Sequence, residues 1–200
     1  MNFTGIGTAV NCLAIIIGTI IGLIIKQGLP ERVEKILIEA VSLIVVIIGV
    51  QMAFKTNNIL ICVVSLALGS IVGELVDINN LFDRFGKWAG EKISNGDQKI
   101  VAKIAAGFVA GSLLFCPGAM AVIGAIQDGL ANEPTTLFTK AILDGIFAII
   151  MAANLGIGVG LSAISVGIYQ GIITLAAGIL EPVATPAVLA EITSVGGVMV

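Results

Sequence analysis

Gly111-Ser112-Leu113-Leu114-Phe115-Cys116-Pro117-Gly118-Ala119-Met120-Ala121-Val122-Ile123-Gly124-Ala125-Ile126-Gln127-Asp128-Gly129-Leu130 is the stretch on which the reading of this chain turns. It is apolar over about the ~20 residues a helix needs to cross hydrocarbon. Yet Cys116-Pro117-Gly118 stands in its middle and Gln127-Asp128 near its end. Proline has no N–H to offer the carbonyl one turn back, near Leu113, and its ring crowds that carbonyl. In hydrocarbon the freed carbonyl needs another partner, so a helix broken here is tolerated only against protein or a polar cavity. Two uses fit such a segment: a solute pathway, or a bare backbone face for tight helix packing. The sequence favours the first and names no solute.

Composition supplies the class. The 200 residues are 58% hydrophobic and 12% charged, with mean hydropathy +1.11, where a soluble domain carries roughly 25% charge. An all-α polytopic membrane protein is expected, one transmembrane domain over 1–200, with the lipid bilayer as its surroundings and no nucleic-acid partner. There is no histidine, which removes His-based metal sites and the usual Ser-His or Cys-His nucleophiles. Cys12, Cys62 and Cys116 all sit in apolar runs without CxxC spacing, so they read as small buried hydrophobes. No enzymatic activity and no cofactor are expected; whether a metal binds is left open.

Six full spans follow from the apolar runs, plus a seventh cut short. The first covers Gly5 to Ile25, with Asn11 its only strongly polar side chain and Gly18-Thr19-Ile20-Ile21-Gly22 a small-xxx-small element. The second runs from about Ile36 to Phe54, and the third from Ile59 to Val76 with a matching Gly69-Ser70-Ile71-Val72-Gly73. Residues 77–98 form an amphipathic connector, in which Leu81, Phe82, Phe85 and Trp88 recur at helical spacing and place it in the membrane interface. Asp97 is the expected N-cap of the fourth span, Lys99 to Gln127, in which Gly107, Gly111 and Gly118 leave one side nearly bare. The fifth covers Phe138 to Leu155. Gly156-Ile157-Gly158-Val159-Gly160 lacks the preceding strand of a dinucleotide loop and reads as a corner into the sixth, Ser162 to Leu180. Thr185-Pro186 opens the seventh. Its fifteen residues, at ~1.5 Å each, cover about two-thirds of the hydrocarbon, so a longer natural chain is expected.

Basic residues suggest the orientation. With the N-terminus outside, Lys26, Arg32, Lys35, Arg84, Lys87, Lys92, Lys99 and Lys103 fall inside, and only Lys55 and Lys140 outside. A weak internal relationship joins residues 1–76 to 99–181. Gly7-Thr8 precedes Cys12 as Gly111-Ser112 precedes Cys116, and Glu39 and Gln51 in span two answer to Asp144 and Asn154 in span five. Three spans per unit would invert the second copy, as in many secondary transporters; chance similarity between glycine-rich segments is the alternative.

The segments Gly111 to Met120, Gly124 to Leu130, Lys140-Ala141-Ile142-Leu143-Asp144-Gly145, Leu155 to Val159, Tyr169-Gln170-Gly171 and Leu66 to Glu74 resemble the signature of the YqgA/YdfK-like family of bacterial membrane proteins, a domain of unknown function. The resemblance covers nearly the whole chain and implies a multi-spanning protein of the cytoplasmic (inner) membrane. It carries over no catalytic residue.

The expected site is a pathway for a cation, proton or small polar solute. It draws on Ser112, Cys116, Pro117, Gly118, Gln127, Asp128, Asp144, Asn154 and Glu191. An ionised carboxylate in mid-membrane costs on the order of 3 kcal/mol, so such residues usually mark ion paths. Asp144 is the sharpest candidate, with a structural hydrogen bond as its alternative. Asp128 reads as a vestibule residue or a solvated helix terminus, and Glu191 lies one turn into the seventh helix. The competing function is a non-transporting assembly protein, its glycine-rich faces docking partner helices or a second copy.

Overall fold

The computed structural model describes residues 4–25, 30–94, 97–116 and 118–199, and every regular element among them is an α-helix. In chain order these are α1 (Ile6–Ile25), α2 (Glu31–Ala53), α3 (Ile59–Val76), α4 (Ile78–Ser94), α5 (Gln98–Phe115), α6 (Ala119–Ala131), α7 (Thr135–Leu155), α8 (Gly158–Leu180) and α9 (Pro186–Val198). Local chemistry sets several of their ends. Asn58 Oδ1 accepts from Leu60 N at 3.0 Å to start α3, and Asp97 Oδ1 accepts from Lys99 N at 2.9 Å to start α5. Thr185 caps α9, with Pro186 in its first turn. Such caps satisfy N–H groups that a first turn leaves without partners. The turn residues Gln27-Gly28-Leu29, the break at Asn95-Gly96, and Pro117 lie outside the described residues.

Five helices, α1, α3, α5, α7 and α8, are long and apolar enough to cross a membrane, while α6, α9 and the apolar part of α2 are shorter. The all-helical class expected from composition is the class observed. The fourth span, expected from Lys99 to Gln127 with a disturbance at Cys116-Pro117-Gly118, comprises two helices, α5 ending at Phe115 and α6 starting at Ala119. Lys140, counted among the outer charges, lies in the second turn of α7 and is buried; α7 itself starts at Thr135, three residues before the apolar run.

Glycine decides which helices touch. A Cβ on Gly18 would overlap the Gly145 carbonyl oxygen, and one on Gly22 the Ile149 carbonyl oxygen. The two helices therefore meet backbone to backbone, and α1 lies parallel to α7. Gly107 rests on the backbone of Gly158 and Val159, and Gly111 on Ser162, so α5 runs parallel to α8. Gly129 of α6 meets Thr174 and Ala177 further along the same helix. Hence α5 and α6 follow α8 in one direction despite the gap between them. Thr19 meets Gly160 while Asn11 meets Gln170, which makes α1 antiparallel to α8. Ile15, Phe115, Cys116, Ala148, Val159 and Val166 fill the space these helices enclose.

The amphipathic connector is one arm of a hairpin with α5. Gly86 and Gly90 sit against Ala105 and Val101, and the rings of Phe82 and Phe85 lie 6.0 and 5.1 Å from that of Phe108, leaving Leu81 and Trp88 outward. On the other flank α9 holds α2, with Gly197 against the Gly49 carbonyl and Ser194 Oγ donating to the Ala53 carbonyl at 2.8 Å. Around the outside Leu13, Ile17 and Ile20 of α1 and Ile168, Ile172 and Leu175 of α8 are exposed. A face of that kind is stable against lipid tails and unstable against water.

The two small-xxx-small elements thus behave differently, since positions equivalent to a Cβ on Gly69 and Gly73 meet nothing within 4 Å. Gly18→Leu forces α1 off α7 and should cost about 1–3 kcal/mol, the usual range for overpacking. Thermal unfolding in detergent reads this as a lowered Tm, while Gly69→Leu leaves Tm where it was.

Candidate functional site

The parallel contact of α1 with α7 brings two polar positions of apolar helices together. Asn11 Nδ2 donates to Asp144 Oδ2 at 3.0 Å and lies 3.3 Å from Gln170 Oε1 on α8. The Lys140 ammonium forms an ion pair with the same Asp144 oxygen. Asn11 and Gln170 are fully buried, and Lys140 and Asp144 are each 6% exposed. That residual exposure faces a cavity of about 220 Å³, which Lys140 and Asp144 line together with Gly118, Leu113, Leu114 and Met120 from either side of the gap between α5 and α6. Val45 and Ile48 of α2, Leu143 and Phe147 of α7, and Met199 complete an otherwise apolar wall.

The gap itself depends on glycine. Gly118 has φ 144° and ψ 143°, a region closed to residues with a Cβ. Its carbonyl accepts from Ala121 N at 3.1 Å and so begins α6. The end of α5 and the start of α6, each with backbone groups that a helix leaves without partners, therefore border the same cavity as the ion pair. A second cavity of about 660 Å³ lies on the other side of Gly118, lined by Tyr169, Asn57, Val122 and Glu191 among others.

Of the residues expected at the site, Gly118 and Asp144 meet at the first cavity and Glu191 lines the second. The rest are engaged elsewhere. Ser112 Oγ donates to Ser165 Oγ at 3.0 Å between α5 and α8, and Cys116 is packed in the core. Gln127 Oε1 accepts from Thr136 Oγ1 at 2.7 Å and ties the α6–α7 turn. Asn154 donates to the Ile150 carbonyl at 3.4 Å and stands ten residues, about 15 Å, along α7 from Asp144. Asp128, expected near the surface, is fully buried, because its Oδ2 accepts from Gly7 N at 3.1 Å and so caps α1. Glu191 accepts from Thr56 Oγ1 at 2.6 Å and from the backbone N–H groups of Asn57 and Asn58 at 2.8 and 3.2 Å, which fastens α9 to the turn before α3. Pro117 lies outside the described residues. Among those residues, no three Cys, Asp or Glu side chains gather as metal ligands.

Lys140 is a site residue that sequence reasoning missed. The signal was available, since opposite charges four apart on a helix face one another. Asn11 and Gln170 carried no such signal, as nothing in their spacing to residue 144 shows that three helices converge there.

The profile of the family described as "Protein of unknown function (DUF554)" matches residues 6–200. The chain is 30% identical over 202 residues to "Uncharacterized membrane protein YdfK" of Bacillus subtilis (strain 168), covering 97% of this chain and 82% of that protein. It is likewise 30% identical over 199 residues to "Uncharacterized protein YqgA" of Escherichia coli (strain K12), covering 97% and 83%. No solved structure matches it.

Removing one member of a buried ion pair costs about 3–5 kcal/mol, whereas apolar replacement of both is often neutral. Asp144→Leu alone should therefore lower Tm in detergent sharply, and Lys140→Met together with Asp144→Leu should recover most of the loss.

Proposed function

We propose that this chain, which belongs to the DUF554 family of membrane proteins, carries an ion or small polar solute across the bacterial inner membrane. The pathway passes the gap between α5 and α6, and the chain performs no covalent chemistry. The observation that carries this reading is the buried Lys140–Asp144 pair opening on the cavity at Gly118. Burying two charges costs several kcal/mol per ion, and packed aliphatic side chains of similar volume hold a fold as well or better. Nor does helix stability account for the pair. Lysine ahead of the acid is the weaker order for a helix and sets the cation nearer the positive end. Interrupted helices whose ends border a polar site near mid-membrane are the means by which many transporters bind solute.

Two further features support this reading. The antiparallel course of α1 relative to α5 and α8 is the direction an inverted repeat of 1–76 and 99–181 requires. Cys12 and Cys116, at matching places in the two Gly-small-x-x-x-Cys segments, pack into one core. In the orientation with the N-terminus outside, the basic side chains of α4 and the first turns of α5 lie on the cytoplasmic side, and Lys140 is paired within α7.

An assembly role is favoured by one observation: α3 is exposed along nearly its whole length, with Gly69 and Gly73 open to another helix. Crosslinking of Gly69→Cys between copies in membranes would reveal such a homo-oligomer.

The transport reading is tested with purified protein in liposomes, screened for flux of protons, Na+, K+ and small polar solutes. The Lys140→Met/Asp144→Leu double variant should fold and lose at least tenfold in the flux that the unaltered chain supports. Unchanged flux in that variant sinks the role of the pair. Absence of flux from the unaltered chain across the screen leaves the assembly reading.

A further inference from the structure

The polar cluster holds two atoms that its internal bonds do not use. Asn11 Oδ1 and Gln170 Nε2 are both buried and have no hydrogen-bond partner. Buried polar groups are rarely left so, and each one left needs a reason. One is an acceptor and the other a donor. They sit within a cluster that also presents one anion, Asp144, and one cation, Lys140, to a cavity.

We infer that this cluster binds the head of a zwitterionic α-amino acid with an apolar side chain, and that such an amino acid is the solute carried. The inference rests on the transport reading above and names its substrate class. The ammonium of the amino acid would take the place of Lys140 at Asp144 and donate to Asn11 Oδ1. Its carboxylate would take the place of Asp144 at Lys140 and accept from Gln170 Nε2. One ion pair becomes two, and both idle atoms gain partners. The buried net charge stays at zero, which matters because an unpaired charge is costly in a low-dielectric interior. A lone inorganic cation or anion would leave a net charge there and satisfy only one of the two idle atoms.

The remainder of the cavity agrees with this choice. Its wall beyond the pair is made of Leu113, Leu114, Phe147 and other apolar side chains, which suits a hydrocarbon group. At about 220 Å³ it is smaller than the ~300 Å³ at which pockets for drug-sized ligands begin. Gly118 and Met120, at the start of α6, also line it. The positive end of that helix favours a carboxylate nearby. The other buried carboxylate, Asp128, is bonded at the N-terminus of α1.

The test uses radiolabelled L-leucine as probe, first for equilibrium binding to the purified full chain in detergent and then for uptake into liposomes. The competitors are 3-methylbutylamine, which lacks the carboxylate, and 4-methylpentanoate, which lacks the ammonium. Leucine should bind, and each singly charged analogue should compete at least a hundredfold less well. Lys140→Met should shift preference toward the amine and Asp144→Asn toward the acid, a reversal that loss of folding would not produce. Should either variant fail to fold, competition on the unaltered chain decides alone. Equal competition by either analogue, or absence of leucine binding beside flux of an inorganic ion, overturns the inference and spares the transport reading. Leucine binding without uptake of any solute does the opposite.

Discussion

Backbone contact between α1 and α7 is the constraint on which the arrangement rests. Gly18 and Gly22 allow the main chain of one helix to lie on carbonyls of the other. Side chains at those positions would hold the axes apart. Without a water-driven hydrophobic force between helices in lipid, close van der Waals contact of this kind is a principal source of attraction. The same closeness carries Asn11 to within hydrogen-bond distance of Asp144. Packing and the polar cluster are thus one feature, since an amide side chain is short and reaches the carboxylate only if the helices nearly touch.

The three acidic side chains considered for a pathway have distinct partners, and these separate their roles. Asp128 and Glu191 each accept backbone N–H groups at the start of another helix, Asp128 from Gly7 and Glu191 from Asn57 and Asn58. A carboxylate is well suited to such places, because it satisfies orphan donors and lies at the positive end of the helix dipole. Asp144 is bonded only by side chains that could turn to another partner, and it borders a cavity. The distinction could not be made from residue type or hydropathy, because all three are acids within or beside apolar runs.

Several elements were legible beforehand for a physical reason. The bounds of α1 and α3 coincide with apolar runs, and Asp97 caps α5 as its position before a helical pattern suggests. Those features depend on residues near one another in the chain. The split of the long helix into α5 and α6 was only half legible. Proline announces a disturbance, but whether the helix bends or ends depends on Gly118, whose backbone angle is a property of the folded chain. The two small-xxx-small elements look alike in sequence, yet one is buried in a contact and the other faces outward. Neither pattern specifies its partner.

Sequence alone determined the class of this protein, its helical register and most helix termini, because hydropathy, capping and chain breaks act over one or two turns. Tertiary structure decided that Lys140 belongs inside, that Asp128 and Glu191 are caps, and that Asn11, Lys140, Asp144 and Gln170 form one cluster beside the Gly118 gap. The reason is distance along the chain. Asn11 and Gln170 bond across 159 positions, and nothing local to either residue encodes which helix faces which.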